Sequence, residues 1–319
     1  MDSPPVRQQG PSCYGDRPLP TDHAMKRPID FLIIGAQKAG TTSLFDVLAQ
    51  HQDIFVPDVK EVLYFTHDEF HRQGPGYLAP YYRKHNGQAL LGGAHVHIMY
   101  FPHAAERVLE HNPAMKVIAL LRNPIDRAYS AYWFARRTGW ESLETFEEAL
   151  DLEPSRSNGS LRERAELSYL AHGHYCEQIQ RFVDTLGRAQ VRVLLTEEFR
   201  EDPRSTISDT CAWLGVSNDT HSLSLEQDLN VSGLPRSATL QRLLRADDSW
   251  LKRSLRRLTP APARHAFGTH VRRPLLQANI RPFRYPPMAE ATRDRLRDYY
   301  APHNAGLAQL LGRNLDHWT

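Results

Sequence analysis

The chain has 319 residues, of which 41% are hydrophobic, and a formal net charge of +2 at pH 7. This length and composition suffice for one large α/β domain or two small ones with a substantial core. The near-neutral charge excludes the strongly basic signature of a general nucleic-acid-binding protein, so we predict no nucleic-acid partner.

The first residues lack hydrophobic periodicity. Residues 1–28 are rich in proline, glycine and charge and have no apolar signal-peptide stretch, so we predict a disordered tail, followed by one domain over residues 29–319. No apolar run reaches membrane-spanning length, and we expect a cytoplasmic protein without a membrane partner. Cys13, Cys176 and Cys211 are widely spaced and odd in number, which favours reduced thiols over disulfides or a zinc site.

The first regular elements are a strand and a helix joined by a loop. The apolar run "FLIIGA", which begins at Phe31, is typical of a strand buried on both faces of a parallel sheet. A helix is predicted from Thr41 onwards, because Leu44, Val47 and Leu48 recur at helical spacing.

The connecting loop has the glycine spacing of a phosphate-binding loop. Gly35 and Gly40 match the pattern G-x-x-x-x-G-K-[ST], but Thr41 stands where the lysine belongs and Lys38 lies inside the loop. Converging backbone N–H groups and the helix dipole make such a loop an anion site for many ligands. The displaced lysine leaves open which anion is held and whether a metal accompanies it.

Two further strand-and-helix units follow. Lys116–Leu121 is a predicted strand, and Asn123 and Pro124 have the residue types of the N-cap and first turn of a helix. A third strand is predicted at "VRVLLTEEF" and a helix in "DPRSTISDTCAWLGV". Alternating strands and helices predict an α/β fold with a central parallel sheet, flanking helices and an irregular, helical C-terminal part.

The residue after the second predicted strand distinguishes this loop from a triphosphatase loop. A triphosphatase places an aspartate there to help hold Mg²⁺, whereas this chain has Arg122. A guanidinium neutralises an anion directly, so we predict a ligand that is anionic at two places and needs no metal. One anion would meet the loop and the other Arg122 and Ser130.

In these motifs the chain resembles the sulfotransferases that use 3′-phosphoadenosine 5′-phosphosulfate (PAPS), closest to their heparan-sulfate-type and bacterial branch. "GAQKAGTTSL" looks like the 5′-phosphosulfate loop and "LLRNPIDRAYSAY" like the 3′-phosphate motif. The resemblance implies PAPS as co-substrate and no metal. It implies these donor-binding residues: Lys38, Ala39, Gly40, Thr41, Thr42, Ser43, Arg122, Ser130 and, from a less specific late motif, Arg236.

Sulfuryl transfer needs a cation on the leaving oxygen and a base for the acceptor. Lys38 is the candidate cation, because it would lie beside the bond that breaks. Glu61 is the first candidate base, since it matches the glutamate held to take the acceptor proton in heparan-type enzymes. An apolar surrounding would raise the pKa of Glu61 towards the working range. The alternative is a surface glutamate paired with Lys60.

The second candidate base lies in "LGGAHVHIMYF", where the chain departs from the heparan-type pattern. His95 and His97 share one face if this segment is a strand. The steroid and phenol branch places its catalytic histidine on a comparable strand, so His97 is a candidate base or acceptor-orienting group. A hydrogen-bonded structural histidine is the alternative.

The acceptor is not fixed by the sequence. We expect the acceptor to be a hydroxyl group, or as the second choice an amine, of a small metabolite, natural product or carbohydrate. The sequence does not indicate an oligomeric state. The basic segment 251–286 is either a solvated irregular region or a surface for an anionic ligand, and Tyr64 and Phe65 either line an acceptor cleft or belong to the core. A P-loop small-molecule kinase and a non-catalytic polyanion-binding protein remain as alternatives.

Overall fold

The computed structural model describes residues 25, 27–221, 223–225, 233–235, 280–282 and 285–318. Arg236 and almost all of the predicted tail and basic segment lie outside the described residues. The chain divides into two compact units, one of residues 21–229 with 285–319 and one of residues 1–20 with 230–284. In the smaller unit, the described residues form one antiparallel strand pair, Gly233–Pro235 with Ile280–Pro282.

The larger unit is built on a five-stranded parallel sheet in the order β2-β3-β1-β4-β5. The central strand, β1, is buried along its whole length, as expected for an apolar run covered on both faces. The strands are β1 Phe31–Gly35, β2 Ile54–Phe55, β3 Leu90–Ala94, β4 Lys116–Leu121 and β5 Val191–Leu195.

Helices connect and cover these strands. Three of the longer ones, Pro124–Thr138, Tyr175–Leu186 and Glu290–Leu311, pack against one another or the sheet and carry large buried side chains. The helices are α1 Thr41–Leu48, α2 Asp68–His71, α3 Ala104–His111, α4 Pro124–Thr138, α5 Phe146–Asp151, α6 Glu153–Arg156, α7 Leu161–Glu166, α8 Tyr175–Leu186, α9 Thr196–Glu201, α10 Pro203–Leu214 and α11 Glu290–Leu311.

The strand order reverses between β1 and β4. After β1 the chain continues to β2 at one edge of the sheet, and after β4 it continues to β5 at the other. In open parallel sheets, ligands bind beyond the carboxyl ends of the strands at such a switch point. The loop after β1, which holds Lys38, and Arg122 after β4 both lie at this position.

Close packing between β1 and β3 explains one residue choice. Gly92 on β3 pairs with Phe31 on β1, and a methyl group at Gly92 would overlap the ring carbons of Phe31. The position therefore excludes any side chain as long as the ring stays in place.

The α/β fold and the first two strands are confirmed, as is the Asn123 N-cap, whose side chain accepts from Ile125 N at 2.9 Å. Two expectations were wrong. The third strand ends at Leu195 and "TEEF" belongs to α9. The segment with His95 and His97 is not a strand, because β3 ends at Ala94 and the chain turns, with Ile98 N donating to His95 O.

Candidate active site

The loop after β1 begins α1 with a left-handed backbone. Gly40 is the N-cap at φ 98°, and no side chain caps the helix there. Lys38 also has a positive φ, 68°, a conformation that costs a residue with a Cβ about 1–2 kcal/mol. Of the predicted donor-binding residues here, Ala39 and Thr41 are buried, Gly40 and Ser43 are half-buried, and Thr42 is exposed.

The ammonium of Lys38 lies in a cationic and partly apolar surrounding. Its Nζ is 4.6 Å from the centre of the Phe134 ring. No oxygen atom of the described residues accepts a hydrogen bond from it. Burial, followed by the charges of Arg137, Arg122 and Lys60, lowers the pKa of Lys38 to about 8. A cation in this position attracts an anion, because nearby positive charge is in excess.

Arg122 and Ser130 lie where β4 passes into α4. Arg122 Nη1 donates to Lys38 O at 3.3 Å, and Tyr175 OH donates to Arg122 O at 3.0 Å. The first contact holds the guanidinium against the loop, and the second fixes the backbone carbonyl of Arg122. Ser130, 4% exposed, accepts from Tyr285 OH at 3.3 Å. The structure thus places Arg122 at the loop and Ser130 two turns into α4.

Glu61 is joined to the carboxyl end of β3 by a backbone bridge to Ala94. Its Oε2 accepts from His95 Nδ1 at 2.9 Å and from Val96 N at 3.0 Å, while Oε1 accepts from Lys60 Nζ at 2.9 Å. Burial by itself would raise its pKa, but the hydrogen bond from His95 and the charge of Lys60 together hold the pKa well below its usual range. The predicted raised pKa is therefore wrong, and Glu61 is an ionised carboxylate.

His97 lies deeper than Glu61. It is 2% exposed, its Nε2 is 3.3 Å from Glu166 Oε1, and its ring is perpendicular to that of His95 at 5.4 Å. Glu166 also accepts from Gln37 Nε2 of the loop at 2.9 Å. The other nitrogen of His97, Nδ1, is buried and has no hydrogen-bond partner among the residues that the structure describes. These contacts make His97 a support of the loop, while the side chain of Glu61 is 30% exposed.

The structure brings together residues that sequence reasoning missed. Lys60, considered only as a surface partner of Glu61, also donates to Thr41 Oγ1 at 3.1 Å. Glu166 and Gln37 have no motif of their own, and 129 residues of sequence separate the two. Only the charge pattern around "VKEV" gave a local signal for Lys60. Tyr64 and Phe65, at 3% and 1% exposure, belong to the core.

The described residues lack two kinds of feature. They contain no group of three or more histidine, cysteine, aspartate or glutamate side chains arranged to hold a metal ion. None of the described helices combines the length and the apolar character that a membrane crossing needs.

Comparison with known proteins identifies the family. A family model described as "Sulfotransferase domain" matches residues 28–230. The human bifunctional heparan sulfate N-deacetylase/N-sulfotransferase 3 is 26% identical over 302 residues, covering 90% of this chain and 31% of that protein. The mouse bifunctional heparan sulfate N-deacetylase/N-sulfotransferase 4 is 25% identical over 299 residues, covering 92% of this chain and 30% of that protein. The chain thus spans about a third of the length of these curated relatives.

A solved structure extends the likeness to the fold of nearly the whole chain. The sulfotransferase from Alicyclobacillus acidocaldarius is 28% identical, with a TM-score of 0.66 over 92% of this chain and 99% of that one. Its strands and helices therefore follow a similar path. Together with the match over residues 28–230, this places the chain in the sulfotransferase domain family and makes it a sulfotransferase.

Proposed function

We propose that the chain transfers a sulfuryl group from PAPS to a hydroxyl group of a small metabolite, natural product or carbohydrate, with an amine of such a molecule as the second candidate acceptor. The product of the donor would be 3′-phosphoadenosine 5′-phosphate (PAP), and no metal would take part. The family assignment favours this reaction over the kinase and the passive polyanion-binding protein considered from the sequence.

The observation that carries the proposal is the position of the Lys38 ammonium, which donates no hydrogen bond to an oxygen atom of the described residues. It lies in a glycine loop at a helix N-terminus, with Arg122 held against the same loop 3.3 Å from Lys38 O. Each charge-assisted hydrogen bond that a bound anion makes to such groups contributes roughly 1.5–3 kcal/mol. Ser130, on the helix that follows Arg122, supports a second anion position and hence a nucleotide with phosphates at both ends of its ribose.

The reaction would be an in-line displacement at sulfur. The acceptor oxygen forms a bond to sulfur, the bond from sulfur to the bridging phosphate oxygen breaks, and PAP leaves with that oxygen. Lys38 would stabilise the negative charge that develops there. With a pKa of about 8 it is still mostly protonated at neutral pH, and it is acidic enough to give its proton to the leaving group.

Glu61 is the more accessible of the two candidate bases, and the contacts that lower its pKa must weaken before it can take a proton. Its Oε2 is fixed by His95 and Val96, while Oε1 faces the loop through Lys60. His97 is almost fully buried and engaged with Glu166, so an acceptor would reach it only after a rearrangement. We therefore assign proton removal to Glu61 and support of the loop to His97.

Calorimetric titration with PAP and with ATP, each in Mg²⁺ and in excess EDTA, tests the donor. Tight PAP binding that EDTA leaves unchanged is the expected result, and Mg²⁺-dependent preference for ATP would refute it. A PAPS-driven screen should then include hydroxyl and amine acceptors. Amino sugars belong in it because the relatives named above are heparan sulfate N-sulfotransferases.

A further inference from the structure

Lys60 contacts both halves of the site. Its Nζ donates to Thr41 Oγ1 at 3.1 Å and to Glu61 Oε1 at 2.9 Å, and its side chain is 16% exposed. Thr41 is the first residue of α1 and belongs to the candidate donor loop, whereas Glu61 is the candidate base. One ammonium group therefore joins the two.

The two oxygens of Glu61 have different surroundings. Oε2 already accepts two hydrogen bonds, from the His95 ring and from Val96 N. Oε1 accepts from Lys60 alone among the described residues. Oε1 is consequently the oxygen that can take a proton from an acceptor, and Lys60 covers it.

The hydroxyl of Thr41 is oriented by the same contact. Because its oxygen accepts from Lys60, its proton is directed elsewhere, and no described residue accepts that proton. The hydroxyl is thus prepared to donate to an anion at the start of α1. Such an anion would also attract the Lys60 ammonium, since Thr41 Oγ1 is only 3.1 Å from Nζ.

We propose that Lys60 couples donor binding to the activity of Glu61. Before the donor binds, the ammonium holds Glu61 Oε1; when the donor's anionic group binds beside Thr41, the ammonium turns towards that group and leaves Oε1 to receive the acceptor's proton. Lys60 thereby becomes a catalytic residue that contacts the donor. The inference rests on the proposed use of PAPS. It adds an order of events, in which the donor binds first and Glu61 becomes able to take the acceptor's proton second.

A double-mutant cycle on PAP affinity tests this competition. In the wild type, PAP binding has to draw Lys60 away from Glu61, so Glu61→Gln, which weakens that contact, should tighten PAP binding about fivefold. Lys60→Met should weaken PAP binding about tenfold. In the Lys60→Met background, Glu61→Gln should change PAP affinity less than about twofold, because there is no ammonium left to compete for.

Equal effects of Glu61→Gln in both backgrounds would overturn the coupling, since simple removal of a negative charge acts whether Lys60 is present or not. Lys60→Arg is a second background that retains the cation and should preserve the tightening; its loss there would also count against the proposal. Absence of PAP binding to the wild type would instead refute the donor assignment.

A matched pair provides the control. Lys84 and Asp58 form an exposed ion pair at 2.5 Å, with side chains 69% and 75% exposed. The variants Lys84→Met and Asp58→Asn should leave PAP affinity within about twofold, singly and together, because surface pairs interact weakly. Coupling of similar size in this control would show that the cycle reports overall charge rather than Lys60.

Discussion

Replacing Lys38 by methionine should make the free protein more stable while removing its activity. A lysine that titrates at about 8 rather than at its usual 10.5 is destabilised as a buried cation by roughly 3 kcal/mol, at 1.36 kcal/mol for each pH unit. Methionine keeps most of the apolar stem and loses only the contact with the Phe134 ring, which contributes about 1 kcal/mol. We expect a net gain of about 2 kcal/mol in the free energy of unfolding at pH 7.

Urea denaturation of the wild type and Lys38→Met, without ligand, measures this difference. Its pH dependence has a definite sign. The folded pKa lies below the unfolded one, so the wild type carries the full penalty below pH 8 and loses it as the pH rises from about 8 to 10.5. The advantage of the methionine variant should therefore shrink over that interval.

The exposed Lys84→Met is the control and should change stability by less than about 0.5 kcal/mol. PAP should stabilise the wild type by mass action and the Lys38→Met variant far less. A Lys38→Met protein that is less stable than the wild type at pH 7 would refute the view that this ammonium is held at a cost.

Three other outcomes are expected. Arg122→Ala should weaken PAP binding at least about tenfold in calorimetry through loss of a charge-assisted contact, and an unchanged Kd would remove Arg122 from the donor site. Glu61→Gln should lower kcat about 10²- to 10⁴-fold in the PAPS assay, while His97→Gln costs less than tenfold; the reverse order would make His97 the base. Gly92→Ala should lower the free energy of unfolding by roughly 1–3 kcal/mol through overlap with Phe31, and Phe31→Leu in the same chain should restore part of it.

The sequence predicts the parts of the fold that are locally encoded. Strands β1 and β4 are uninterrupted apolar runs, and Asn123 followed by Pro124 is a strong helix start. The sequence therefore predicts these elements without knowledge of the strands or helices that pack against them. Strand β3 is "LLGGA", and its two glycines give no β-propensity. It is a strand because Phe31 and Leu32 lie against it, which only the three-dimensional pairing provides.

In the candidate site, too, some features can be predicted from the sequence and others depend on folding. Lys38 is displaced within the triphosphatase motif and Arg122 stands where that motif has an aspartate, and both departures are visible in the sequence. The state of Glu61 is not, because it depends on His95, 34 residues away. An apolar neighbourhood read from adjacent residues predicts a raised pKa, whereas the hydrogen bond from His95, which folding brings to Glu61, and the charge of the adjacent Lys60 lower it.

The left-handed backbone at Lys38 has an evolutionary consequence. At φ 68° a glycine would be unstrained, and it would also remove the buried charge. Mutational drift favours substitutions of this kind as soon as catalysis is no longer selected, because most other changes destabilise. In any lineage that has abandoned sulfuryl transfer, position 38 should be among the first to lose its lysine.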